Sequence, residues 1–109
     1  MKNQEDIEKI KETISSILKN EAIDAFEIYL FGSRARGDFS SNSDYDILIT
    51  LRKKLGIKEK IKLFTKLRKV LAKKRYNVDI VIKSTDEVNY YKNKIGHIVR
   101  SALNEGILL

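Results

Sequence analysis

Isoleucine and leucine recur at helical spacing near the start of the chain, at Ile7, Ile10, Ile14, Ile17 and Leu18, and predict an amphipathic helix over residues 4–20. Asn3 followed by Asp6 supplies a start signal for it. The period then shortens. Phe26-Glu27-Ile28-Tyr29-Leu30-Phe31 is rich in aromatic and β-branched types and predicts a strand. Ser33 to Arg36 predicts a short helical turn, Gly37 to Ser43 a polar loop, and residues 45–51 a second strand. Helical periodicity returns over 57–74, with Ile57, Ile61, Phe64, Leu67 and Leu71 on one side and Lys58, Lys62, Lys66, Lys69 and Lys73 on another. Residues 77–82 predict a third strand. Ser84 or Thr85 caps a last helix over 86–104, Gly106 ends it, and Ile107 to Leu109 predict a short edge strand. The order helix, strand, strand, helix, strand, helix predicts an α/β (α+β) fold. Its expected architecture is a small mixed sheet of three to four strands with helices packed on it.

The chemistry sits where this pattern breaks. Gly32-Ser33 closes the first strand, and ten residues later Asp44-Tyr45-Asp46 opens the second. Side chains two apart on a strand point to one face, so Asp44 and Asp46 aim together. Two carboxylates so placed can share a hard cation such as Mg²⁺, which prefers oxygen ligands and leaves positions for phosphate and water. Gly32 permits a tight turn and a close approach to a ligand. Ser33 offers its hydroxyl and amide at a helix start, where anions are favoured. No Lys follows in the Walker pattern, so this is not a P-loop. Four such fixed positions arise by chance in about one chain in a thousand of this length.

Asp79 lies between Val78 and Ile80 in the third strand, where a charge is costly unless it is paired or binds metal. If that strand lies beside the second, Asp79 can join Asp44 and Asp46. Three acids with two metals would activate an attacking hydroxyl and stabilise a leaving pyrophosphate. Arg34 and Arg36 are candidate phosphate contacts. Asp38 reads as a loop capper. His97, the single histidine, reads as a helix-surface residue rather than a catalyst.

Composition narrows the class. With 109 residues, the chain is expected to form one domain over 1–109. The net charge of +7 is concentrated: Arg52 to Arg75 holds twelve Lys or Arg against one acid, Glu59, while the rest holds fourteen acids and ten bases. Such a stripe can meet an acidic protein or a nucleic acid, or be a solvated helix face. Cysteine is absent, which excludes disulfides and thiolate metal sites and fits a cytoplasmic protein. No apolar run approaches about 18 residues, so no membrane span is expected. Met1 to Ile10 lacks the apolar block of a signal peptide.

Gly32-Ser33-Arg34-Ala35-Arg36-Gly37, the ten-residue spacing and Asp44-Tyr45-Asp46 resemble the signature of the minimal nucleotidyltransferases, relatives of the DNA polymerase β superfamily. The resemblance covers nearly the whole chain in length and element order. It implies that Asp44 and Asp46 bind Mg²⁺, that Asp79 is the third catalytic acid, and that Gly32 and Ser33 hold the triphosphate of ATP. All of these positions are intact. Many stand-alone members similar to this one are antitoxins that transfer AMP to a tyrosine of a HEPN-domain toxin. Size points the same way: the chain has room for a nucleotide site and little else, so the acceptor hydroxyl must come from another molecule. The first expectation is therefore AMP transfer from ATP to a HEPN partner, through the 57–74 stripe or the last helix. The rivals are a binding module that neutralises its partner by occlusion, and transfer to a small molecule such as an aminoglycoside. Direct nucleic-acid binding ranks behind these.

Overall fold

A computed structural model describes residues 2–109; Met1, the first residue of the expected 1–109 domain, lies outside them. The elements are α1 (Lys2–Asn20), β1 (Phe26–Phe31), α2 (Ser33–Arg36), β2 (Tyr45–Leu51), α3 (Ile57–Lys73), β3 (Val78–Ser84), α4 (Thr85–Tyr91), α5 (Ile98–Glu105) and β4 (Ile107–Leu108). The strands form one mixed sheet in the order β3-β2-β1-β4. β1 pairs antiparallel with β2 and β4, and β2 pairs parallel with β3. A parallel pair needs a crossover, and α3 provides it.

Strand alternation gives the sheet two apolar faces. Ile28, Leu30, Ile47, Ile49, Leu51, Ile80 and Ile82 join Ile10, Ile14 and Leu18 of α1 and Leu63, Leu67 and Leu71 of α3 in the main core. The opposite face is smaller: Phe31 and Leu48 meet Ala102 of α5, with Tyr29, Val81 and Leu103 at the margin. β2 is buried on both faces and reads as a nearly continuous apolar run, as a strand with two paired neighbours should.

The helix expected over 86–104 is two helices. α4 stops at Tyr91, a turn spans Lys92–His97, and α5 begins at Ile98. Asn93 and Gly96 are ordinary turn residues, and the continuous apolar spacing across them masked that signal. His97 is consequently the N-cap of α5 rather than a mid-helix residue; its Nδ1 accepts the Val99 N–H at 3.1 Å and its ring stacks on Tyr91. Ser84 caps α4 as expected, in a reciprocal box in which Ser84 Oγ accepts from Glu87 N and Ser84 N donates to Glu87 Oε1. Those backbone bonds hold the Glu87 carboxyl below the usual glutamate range, against an opposing push from burial. A carboxyl lowered by folding stabilises at neutral pH, and the contribution is lost as pH falls through its folded value. Ser84→Ala should cost about 1 kcal/mol in denaturant unfolding near neutral pH, with a smaller deficit in acid.

A second departure concerns α3. Its buried residues are Leu63, Leu67 and Leu71, while Ile57 is 81% and Ile61 61% exposed. The buried side of α3 begins only at Leu63. Ile61, Ile23 and Leu55 floor an open groove of about 870 Å³ edged by lysines that include Lys53, Lys62 and Lys66.

Candidate active site

β1 delivers the chain to Gly32, whose backbone (φ 72°, ψ −158°) starts α2. Its amide N–H donates to Glu105 Oε1 at 3.1 Å, and its carbonyl accepts from Ala35 and Arg36. Only glycine fits here. The positive φ disfavours a side chain, and an added Cβ would overlap the Asp46 carboxylate. The Gly-Ser turn and the strand-borne acid thus touch, although α2 and the polar loop separate them along the chain.

Asp44 lies just before β2 and Asp46 within it, while Tyr45 between them turns into the main core. Asp46 and Asp79 are direct partners across the parallel β2–β3 ladder, which is the arrangement expected if the third strand flanks the second. Asp44 and Asp79 are more open to solvent than Asp46, which is half-buried. Burial, then the charges of Asp79 and Asp44, push the Asp46 carboxyl above the usual aspartate range; Arg36 opposes them. Like charges crowd here, and Arg36 is the cation that opposes them.

That imbalance suits a hard divalent cation. Among the described residues no three acidic, His or Cys side chains close into a metal cage. An open donor set is nevertheless what Mg²⁺ accepts, since it commonly takes one or two carboxylates and completes its shell with phosphate oxygens and water. A small hollow of about 210 Å³ beside the acids is lined by Asp44, Asp79, Arg68, Tyr76 and Asn77. The larger groove under Ile61 opens at the opposite ends of β2 and β3 and does not include the acids.

The two arginines part company. Arg34 is committed to the loop: its guanidinium donates to the carbonyl of Ser43 at 3.0 and 3.2 Å and to Asn3 Oδ1 at 3.1 Å. It also lies between the Phe39 and Tyr45 rings, 4.5 and 4.4 Å from their centroids. Tyr45 in turn donates to Asp6 at 3.0 Å, and burial followed by this bond pushes its phenol up to about 12. Arg34 therefore ties α1 and the 37–44 loop to α2 beside Asp44. Arg34→Ala should cost about 2 kcal/mol of unfolding free energy by urea titration, from lost charge-assisted hydrogen bonds and ring contacts. Arg36 instead faces the acids' side, paired with Glu105 at 3.1 Å and Asp38 at 3.3 Å.

Glu105 is the residue the sequence reading missed. It belongs to no motif, sits 73 positions from Gly32, and reaches the site because β4 folds back beside β1. Its one local signal was the Glu105-Gly106 pair at a helix end. His97 makes its contacts with Tyr91 and Val99, apart from the acid set.

A mixed sheet that sets a Gly-Ser turn against paired aspartates, with a third acid on the adjacent strand, is the layout of a nucleotidyltransferase. Residues 8–109 match the family model described as polymerase beta nucleotidyltransferase, and the chain belongs to that family. A candidate protein adenylyltransferase of Methanocaldococcus jannaschii is 38% identical over 76 residues, 70% of each chain. In fold, the chain is similar to a candidate nucleotidyltransferase of Sulfolobus solfataricus (TM-score 0.57, 23% identity, covering 99% of this chain and 86% of that one). It is also similar to a chain of a mutant form of the toxin–antitoxin MntA–HpeT (TM-score 0.58, 23% identity, covering 91% and 70%). A toxin–antitoxin with AMP-PNP gives a TM-score of 0.56 at 23% identity, over 89% and 69%.

Proposed function

We propose that residues 1–109 are a single nucleotidyltransferase domain that moves AMP from ATP to a hydroxyl of a partner protein, a HEPN toxin whose tyrosine is the acceptor. The observation that carries the proposal is the register of Asp46 against Asp79 with Gly32 packed on the Asp46 carboxylate. In this reading Asp44 and Asp46, with Asp79, hold Mg²⁺, which neutralises phosphate charge and lowers the barrier to displacement at the α-phosphorus. Gly32, Ser33 and Arg36 hold the β- and γ-phosphates. Asp79, exposed beside Asp46, takes the proton of the acceptor hydroxyl as its oxygen bonds to the α-phosphorus and pyrophosphate departs.

Support for a protein acceptor comes from the relative's description as a protein adenylyltransferase and from the toxin–antitoxin setting of similar folds. The surface is consistent with it. Asp79 and Asp44 are both exposed, and the acceptor meets the acids from outside the described residues. Ile57 and Ile61 stand exposed beside the lysine-edged groove, an apolar patch of the kind that marks contact surfaces. The test is incubation with α-labelled ATP, Mg²⁺ and the HEPN partner. Label should enter the partner with the wild type and not with Asp44→Asn or Asp46→Asn; equal labelling by the variants overturns the assignment.

A further inference from the structure

Glu105 stands where a phosphate oxygen would be expected. Oε1 accepts the Gly32 N–H at 3.1 Å and Arg36 Nη1 at 3.2 Å, and Oε2 accepts Arg36 Nη1 at 3.1 Å. These are two of the groups assigned above to polyphosphate. Carboxylate and phosphate make the same demand on a backbone amide and a guanidinium: anionic oxygens that accept short, charge-assisted hydrogen bonds.

The placement is built into the fold. β4 pairs with Tyr29 and Leu30 of β1, and Leu109 N donates to Ile28 O at 2.8 Å, so the chain after α5 is zipped to the strand that leads into Gly32. Gly106 makes the corner, packed so closely on the Ala102 carbonyl that no side chain fits. The α5–β4 corner thereby sets Glu105 over the Gly32 amide. Electrostatically it is a poor place for an acid. Glu105 ends α5, where the helix dipole disfavours negative charge. It also adds to the negative charge around Asp46. Gly32 N–H and Arg36 compensate it locally, and those donors are needed elsewhere once a nucleotide arrives.

We propose that Glu105 is an internal competitor for the nucleotide: its carboxylate fills the anion cradle of Gly32 and Arg36 until a metal-complexed nucleoside triphosphate displaces it. The inference rests on the phosphate-binding reading of that cradle. A triphosphate can displace Glu105 because it brings several anionic groups and its cation to the acids at once. A single inorganic phosphate must compete for donors already engaged by a tethered carboxylate, and it does so poorly. Displacement leaves Glu105 without Gly32 and with at most a share of Arg36, so occupancy by Glu105 and by nucleotide oppose each other as coupled sites do.

Calorimetric titration of the Mg²⁺ complex of AMP-PNP, and separately of inorganic phosphate, into the wild type, Glu105→Gln and Glu105→Ala tests this without turnover. Gln keeps the size and an acceptor oxygen while removing the charge; Ala empties the position. Both variants should bind AMP-PNP about tenfold tighter, within the usual range of coupling between sites. Both should also bind inorganic phosphate more tightly, by a similar factor, because either ligand must displace the same carboxylate. Equal or weaker AMP-PNP binding by folded variants overturns the proposal and makes Glu105 a positioning residue for Arg36. If Glu105→Ala does not fold, the isosteric Gln variant carries the test; if Gln unfolds as well, the residue is structural and the proposal fails. Absence of AMP-PNP binding by every form overturns the phosphate-cradle reading together with this one. Binding by the wild type that the variants do not improve overturns only the role of Glu105.

Discussion

Asp46→Asn should reduce nucleotidyl transfer by about a thousandfold or more while leaving the protein at least as stable as the wild type. Asp46 is the half-buried acid that faces Asp79 and touches the Gly-Ser turn. On the proposed reading, removing its charge removes a ligand for a cation whose charge stabilisation would be worth several kcal/mol, and each 1.4 kcal/mol is about tenfold in rate. The stability half follows from the sign of its pKa shift. Burial and the neighbouring aspartates raise the carboxyl, so the folded state prefers it protonated. A raised acid costs stability at neutral pH, and the cost disappears as pH falls through the unfolded value. Asparagine carries no charge at any pH, so Asp46→Asn should match or exceed the wild-type melting temperature at neutral pH in chelator. Its advantage should shrink in acid. A variant that loses activity and also melts earlier would contradict this account, because the lost activity could then be lost fold.

Gly32→Ala should damage fold and activity together. Its Cβ would occupy the space of the Asp46 carboxylate, and the backbone sits in an essentially glycine-only conformation that costs another residue about 1–3 kcal/mol. Relief requires Asp46 or the start of α2 to move, and either movement breaks the contact between turn and acid. Urea unfolding should show a loss of at least about 1 kcal/mol, and the labelling assay should fall nearly as far as with Asp46→Asn. Adding Asp46→Asn to Gly32→Ala should cost little further activity, since the two act on one contact. Additive losses in this pair would show that glycine serves only the backbone.

Much of this molecule is legible without coordinates. β1 and β2 lie where alternation and β-branched residues place them, and the Gly-Ser turn and paired aspartates were visible as motif and spacing. Boundaries shifted where local signals competed: β3 extends to Ser84, past the last apolar residue of its run, because parallel pairing with β2 continues to Leu51. The helix read over 86–104 divides because turn residues at Asn93 and Gly96 outweigh an unbroken apolar rhythm. In α3, periodicity identified a helix and placed Ile57 and Ile61 on one side with Leu67 and Leu71, whereas the two isoleucines are exposed and the two leucines buried.

The site divides the same way. Residue type and short spacing nominated the candidate donors, because the bonds they can make are properties of single side chains and of neighbours on one strand. Partnership across the chain required the fold. The parallel register sets Asp79 against Asp46, the loop claims Arg34, and β4 carries Glu105 back to Gly32. Each of these depends on which strands lie side by side, and strand order is settled by burial of the whole apolar surface rather than by any local stretch of residues.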